Sequence, residues 1–193
     1  MPGHSPDIGL GADAETAQRL LEEAGYPRGD NFPPVEFLYS GDPEGNPVAS
    51  YLQQQWVDIL GIAVKVQGLA WGEFTHRQGN DPPHIAINGW QADYQDPDSM
   101  LHILFHSREG VNDIRWSNQV FDSLVEEATQ IADRKARIEL YQEPDRILVA
   151  DEAAVMPLSY AQGRQLVKSN VKIPRSPPSL LRLKHAVVIP TPE

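Results

Sequence analysis

"HIAINGWQADYQDPDSM", residues 84–100, runs an apolar stretch straight into three carboxylates, Asp93, Asp96 and Asp98. Residues 84–90 read as a strand, and ligands of open α/β sheets meet the carboxyl ends of strands. Asp96 and Pro97 are turn chemistry, and Asp98 stands where it can cap a helix over "SMLHILF". Asp93 is left either as a solvated turn residue or as a socket for a cationic ligand. Trp90 beside it reads either as core or as an apolar wall of that socket.

Upstream, helix and strand alternate. Asp13 caps a helix with Ala17, Leu20, Leu21 and Ala24 on one face, and Gly25 with Pro27 stops it. "VEFLYS" (35–40) is a strand and "GDPEGNP" (41–47) a loop. Asn46-Pro47 then opens a second helix, with Val48, Leu52, Trp56, Ile59 and Leu60 on its buried face and Gly61 at its end. "IAVKVQGL" (62–69) alternates with period two and is a strand. "WGEFTHRQG" (71–79) is a short helix or turn. Downstream, the spacing predicts helices over about 99–106, 118–131 and 134–150, the last broken or kinked by Pro144. "VMPLSY" and "RQLVKS", around Gln162-Gly163, predict a hairpin. The order implies an α/β fold with helices flanking a sheet, and the hairpin makes that sheet mixed.

Composition narrows the function. The chain has 193 residues, 40% hydrophobic and 22% charged, which suits a folded domain with a substantial core. A net charge of -11 repels phosphate backbones and argues against a nucleic-acid partner. With no cysteine there is no disulfide and no thiolate metal site. The opening "MPGHSPDIGLGAD" has neither the basic start nor the apolar core of a signal peptide. An exported protein would carry its address outside this stretch.

The catalytic and metal motifs fit poorly. A calcium loop needs oxygens at positions one, three, five and twelve with glycine at six, whereas the aspartates stand at relative positions one, four and six. A hydrolase would use Asp93 and Asp96 as its carboxylate pair, but sequence spacing cannot supply their separation. His102 and His106 share a helix face and could chelate a metal, though no third ligand is evident, and capping or surface roles are the alternative. No nucleophile elbow and no phosphate-cradling loop is present.

Five segments, in order, carry a resemblance. They are "AETAQRLLEEAGYPRG", "LQQQWVDILGIAVKVQGLAWGEF", "INGWQADYQDPDSMLHILFHS", "WSNQVFDSLVEEA" and "LYQEPDRILVADEAAVMPLSYA". Together they resemble the C-terminal part of the bacterial extracellular solute-binding proteins, family 5, which serve peptide, nickel and related ABC importers. Pro144 and the variant "DEAAVMPLSYA" depart from the family pattern.

The resemblance implies one type II periplasmic-binding-protein lobe over residues 13–173, after an irregular lead-in at 1–12. Residues 174–193 would then be a tail returning toward an N-terminal lobe that this chain lacks. It further implies a non-enzymatic receptor for di- or oligopeptides, without a cofactor, that delivers ligand to ABC permease subunits. Its parent would be periplasmic or extracellular, associated with the membrane through the transporter. In peptide-binding members the matching aspartate, here Asp93, receives the ligand's α-ammonium group. Trp90 and Tyr94 would flank it, and Gly89 and Gln91 would offer backbone groups to an extended peptide. A nickel-type or metallophore-binding member is the alternative.

Overall fold

The computed structural model describes residues 7–41, 45–160, 166–173 and 183–190. Residues through Met156 make one compact unit, and Pro157 onward a second.

The first unit begins with α1 (Ala14–Glu23), whose Asp13 cap accepts the Thr16 N–H at 3.0 Å. Three strands follow: β1 (Val35–Ser40), β2 (Val64–Leu69) and β3 (Ile85–Ile87). α2 (Pro47–Leu60) links β1 to β2, and α3 (Trp71–Asn80) links β2 to β3. β1 lies in the middle and pairs in parallel with both neighbours, Phe37 opposite Val66 on one side and Ile85 on the other.

Alternation along β1 sorts its side chains between two faces. Phe37 and Tyr39 meet Ala49, Leu52 and Trp56 of α2 and Leu21 of α1. Leu38 faces the other way, onto Leu69, Phe74 of α3 and Ala86. Asn46 caps α2 through the N–H groups of Val48 and Ala49, as its sequence implies. Gly61 ends it at φ 69°, where a Cβ would come within 2.3 Å of the Arg28 carbonyl oxygen. Only glycine fits there. Two expected core positions, Leu20 and Val48, point outward instead, and Ala49 takes the inner position on α2.

After β3 the chain is irregular until a 3-10 turn at Pro97–Ser99, then α4 (Leu101–Phe105) and α5 (Gln119–Gln130). The single helix expected after Asp133 is three pieces: α6 (Arg134–Leu140), α7 (Gln142–Arg146) and a π turn at Ile147–Asp151. Pro144 falls in the first turn of α7, where its missing N–H leaves no helical bond unmade. Leu101, Phe121, Val125, Ala128, Tyr141, Ile147 and Leu148 form the core of this helical half.

In the second unit, β4 (Val171–Lys172) pairs antiparallel with β5 (Val187–Val188). The mixed pairing expected of one sheet is thus divided between an all-parallel sheet and a separate ribbon. Residues 155–160 form no strand, so the expected hairpin is not made there, and its turn at Gln162-Gly163 lies outside the described residues. The same holds for residues 1–6 of the lead-in, 42–44 of the loop after β1, and 174–182 and 191–193 of the tail.

Candidate ligand-binding site

The strand order β2-β1-β3 reverses direction beside β1, so the carboxyl ends of β1 and β3 form the switch point where α/β sheets bind ligands. The segment Asn88–Ser99 leaves β3 at this edge. A crevice of about 600 Å³ opens at the same edge on the β1–β2 side, lined by Tyr39, Ser50, Gln67, Leu69, Ala70 and Glu73. Asp93 does not line it.

The three carboxylates have divided roles. Asp96 caps the 3-10 turn through the Asp98 N–H and is ion-paired with Arg137 of α6. Asp98, expected to cap a helix, caps none. It accepts the hydroxyls of Tyr94 and of Tyr141 (3.1 Å) and faces His102 Nδ1 at 3.1 Å. The reason is that α4 starts at Leu101, beyond its reach, with Met100 at the capping position. Asp93 is exposed, and among the described residues its carboxylate has no hydrogen-bond or ion-pair partner. Its backbone N–H is held by Ser99 Oγ at 2.9 Å.

Trp90 and Tyr94 are each 45% exposed. The Tyr94 hydroxyl is occupied by Asp98, leaving only its ring to a ligand. Partial burial, the bond to Asp98 and the charges of all three aspartates push its pKa up to about 12. Burial, then the charge of Asp98, raises Tyr141 as well. Gly89 does not present a free N–H, because the Asn88 side chain accepts it at 2.8 Å. A peptide pairing at Gly89 N–H would have to displace that bond. Gln91 is exposed.

His102, His106 and Glu109 cluster with ligand atoms within 4.8 Å of one another. His106, however, is fully buried, not a surface residue. Its Nδ1 accepts the N–H groups of Arg108 (3.2 Å) and Glu109 (3.0 Å), and its Nε2–H donates to Glu126 at 3.0 Å. Both ring nitrogens are committed, so a metal would have to take a lone pair that already holds the turn after α4. The donor set fits a side-chain-braced turn better than a metal centre. The carboxylate pair of a hydrolase fares no better, since Asp96 is bound to Arg137.

Sequence reasoning identified the segment but missed Ser99, Arg137 and Tyr141, which fix its shape. Arg137 and Tyr141 stand more than 40 residues from their partners. No local motif marks such pairs.

Comparison with known proteins decides the family. The profile of the bacterial extracellular solute-binding proteins, family 5 (middle), matches residues 1–112. The chain belongs to this family. It is 30% identical over 172 residues to the dipeptide-binding protein DppE of Bacillus subtilis, a match covering 88% of this chain and 31% of that protein. Its fold matches the periplasmic binding protein DppA of Helicobacter pylori, solved with the peptide STSA, at a TM-score of 0.69 and 26% identity. That match covers 81% of this chain and 30% of the other. A periplasmic oligopeptide-binding protein of Borrelia burgdorferi matches at 0.68 and 29% identity, over 77% and 30% of the two chains. The chain thus spans about 30% of the length of these family 5 relatives, and its first unit has the α/β fold of part of a type II periplasmic binding protein. No helix among the described residues is long and apolar enough to cross a membrane.

Proposed function

We propose that this chain is a ligand-binding part of an ABC importer's solute receptor and that it takes di- or oligopeptides by their α-ammonium group at Asp93. One observation carries the reading: of three carboxylates in the segment that leaves β3, only Asp93 is exposed and, among the described residues, unpartnered. A carboxylate meeting an ammonium makes a charge-assisted bond, the strong kind. The half-exposed rings of Trp90 and Tyr94 stand near it in sequence and offer apolar surface to a ligand. Gly89 and Gln91 offer backbone to the peptide, Gly89 through its carbonyl. The chain supplies one part of a longer parent receptor. The parent works in the periplasm or outside the cell and hands its ligand to permease subunits. Binding there needs no catalysis and no cofactor.

One ammonium contact adds about 1.5–3 kcal/mol and each backbone bond about 1 kcal/mol, short of the about 8 kcal/mol of a micromolar complex. The chain alone is therefore expected to bind peptides at about millimolar Kd. Calorimetry or NMR titration with trialanine tests this: weak binding that disappears with Asp93→Asn supports it. Binding indifferent to Asp93→Asn, or peptide turnover that depends on Asp93, overturns it. The metal-binding alternative would show instead as a nickel-dependent shift of the His102 resonances.

A further inference from the structure

We infer that Ser99 is a positioning residue for Asp93, transmitting to the site acid the rigidity of an anchor built from Arg137, Tyr141 and His102. The inference rests on the peptide reading for its consequence but not for its geometry.

Asp93 lies in a bend that belongs to no strand or helix. Among the described residues its one hydrogen bond runs from its backbone N–H to Ser99 Oγ, at 2.9 Å. Ser99 is wholly buried. It closes the 3-10 turn, and its own N–H donates to the Asp96 carbonyl at 3.1 Å. Two residues just before it in the turn are gripped from elsewhere. Arg137 holds the Asp96 carboxylate, and Tyr94, Tyr141 and His102 converge on Asp98. A fixed turn therefore presents one buried hydroxyl, and that hydroxyl fixes the backbone of a carboxylate whose side chain is left unengaged. Preorganisation of this kind lets a single charged contact discriminate, because less ordering is lost when the ligand arrives. Without the hydroxyl, the Asp93 bend is restrained only by its chain neighbours.

The test uses the 15N-labelled chain with two readouts. Ser99→Ala is expected to speed amide-proton exchange at Asp93 by about two- to tenfold, the weight of one hydrogen bond. Exchange at Phe121 and Val125 stays unchanged, which separates positioning from general loosening. Ser99→Thr, which keeps the hydroxyl, restores the slow exchange. Should its extra methyl unfold the chain, Ser99→Cys, a weaker acceptor of similar size, is expected between Ala and the parent sequence. The second readout is the preference for trialanine over N-acetyl-trialanine, which only a placed Asp93 carboxylate creates. Ser99→Ala is expected to reduce that preference by about the same factor. Equal Asp93 exchange in Ser99→Ala and the parent sequence overturns the inference, as does an undiminished preference for the free amine. If the parent chain shows no such preference, the peptide reading fails while the exchange measurement still decides the role of Ser99.

Discussion

In the sheet half, Phe37, Leu38 and Phe74 are sealed by other apolar side chains, and the N-caps of α1 and α2 are local, made by Asp13 and Asn46. In the helical half, Ser99, His106 and Asp122 are buried beside Phe121 and Tyr141. There the backbone is irregular, and side chains from distant positions satisfy it: Asp122 takes both the N–H and the hydroxyl of Ser107. The sheet half needs fewer such partners because its ladder pairs most of its own backbone; His84 takes the Glu36 N–H, and Gln18 and Gln53 donate to the Ile59 and Val64 carbonyls. The difference explains how a loop can stay rigid while leaving one carboxylate unengaged. Polar anchoring in the helical half shapes the segment that reaches the sheet's edge.

The comparison makes graded demands. The largest effect should be indifferent to it. Phe37→Ala and Phe121→Ala each remove a wholly buried ring, and each is expected to cost about 3–5 kcal/mol in denaturant unfolding. Unequal losses would show that the two halves differ in apolar packing as well. Next comes Arg137→Ala, which strands a mostly buried Asp96 carboxylate and is expected to cost about 2–4 kcal/mol. Arg19→Ala, at an exposed pair of the sheet half, is expected to cost less than about 0.5 kcal/mol. Equal costs at Arg137 and Arg19 would break the contrast outright.

Asp122→Asn follows, at about 1–3 kcal/mol, because the charged acceptor for Ser107 is lost at a buried site. A smaller effect is set by pH. Tyr94 and Tyr141 titrate higher in the folded chain than unfolded, Tyr94 at about 12 against an ordinary 10. The unfolded chain therefore releases these protons first. Their contribution is complete below pH about 10 and is lost as pH rises toward and through the folded values, at no more than about 1.4 kcal/mol per pH unit for each phenol. Tyr141→Phe should flatten the alkaline limb of the stability curve. An unchanged limb would mean that Tyr141 is not what the anchor loses at high pH.

The same contrast explains which parts could be read from sequence. Asp13, Asn46 and Gly61 mark their helices because caps act within a turn, and β1 and β2 declare themselves by alternation and β-branched residues. The helical half hid its logic. By spacing His106 shares a helix face with His102 and suggests a metal pair, yet it stands just past α4, and its nitrogens hold the turn that follows and bind Glu126. Asp98 has the residue type of a cap and serves as a hub. The signal that would have distinguished these roles is the position of Tyr141, Arg137 and Glu126 in space, which spacing along one chain does not contain. Asp93 was readable as a candidate because it follows an apolar run, although β3 itself ends at Ile87, short of the strand expected over residues 84–90. What set it apart from its neighbours, the lack of a partner, emerged only once those neighbours were seen to be engaged.

The smallest expected effect on stability is at that residue, and it is the sharpest. Asp93 is exposed and its carboxylate touches no donor among the described residues, so Asp93→Asn removes no native bond. It also relieves repulsion from Asp96 and Asp98, whose charges remain. The unfolding free energy should change by less than about 0.5 kcal/mol, as for an ordinary surface position. A carboxylate that stabilises nothing, held on a turn that costs buried polar groups to build, has its use elsewhere. The same variant should therefore remove the preference for a free α-ammonium group, since an amide oxygen cannot supply the charge. Asp98→Asn gives the converse pattern, losing stability while Asp93 remains free to act. If Asp93→Asn instead unfolds the chain as Arg137→Ala does, Asp93 belongs to the anchor, and the division between holding and binding carboxylates is wrong.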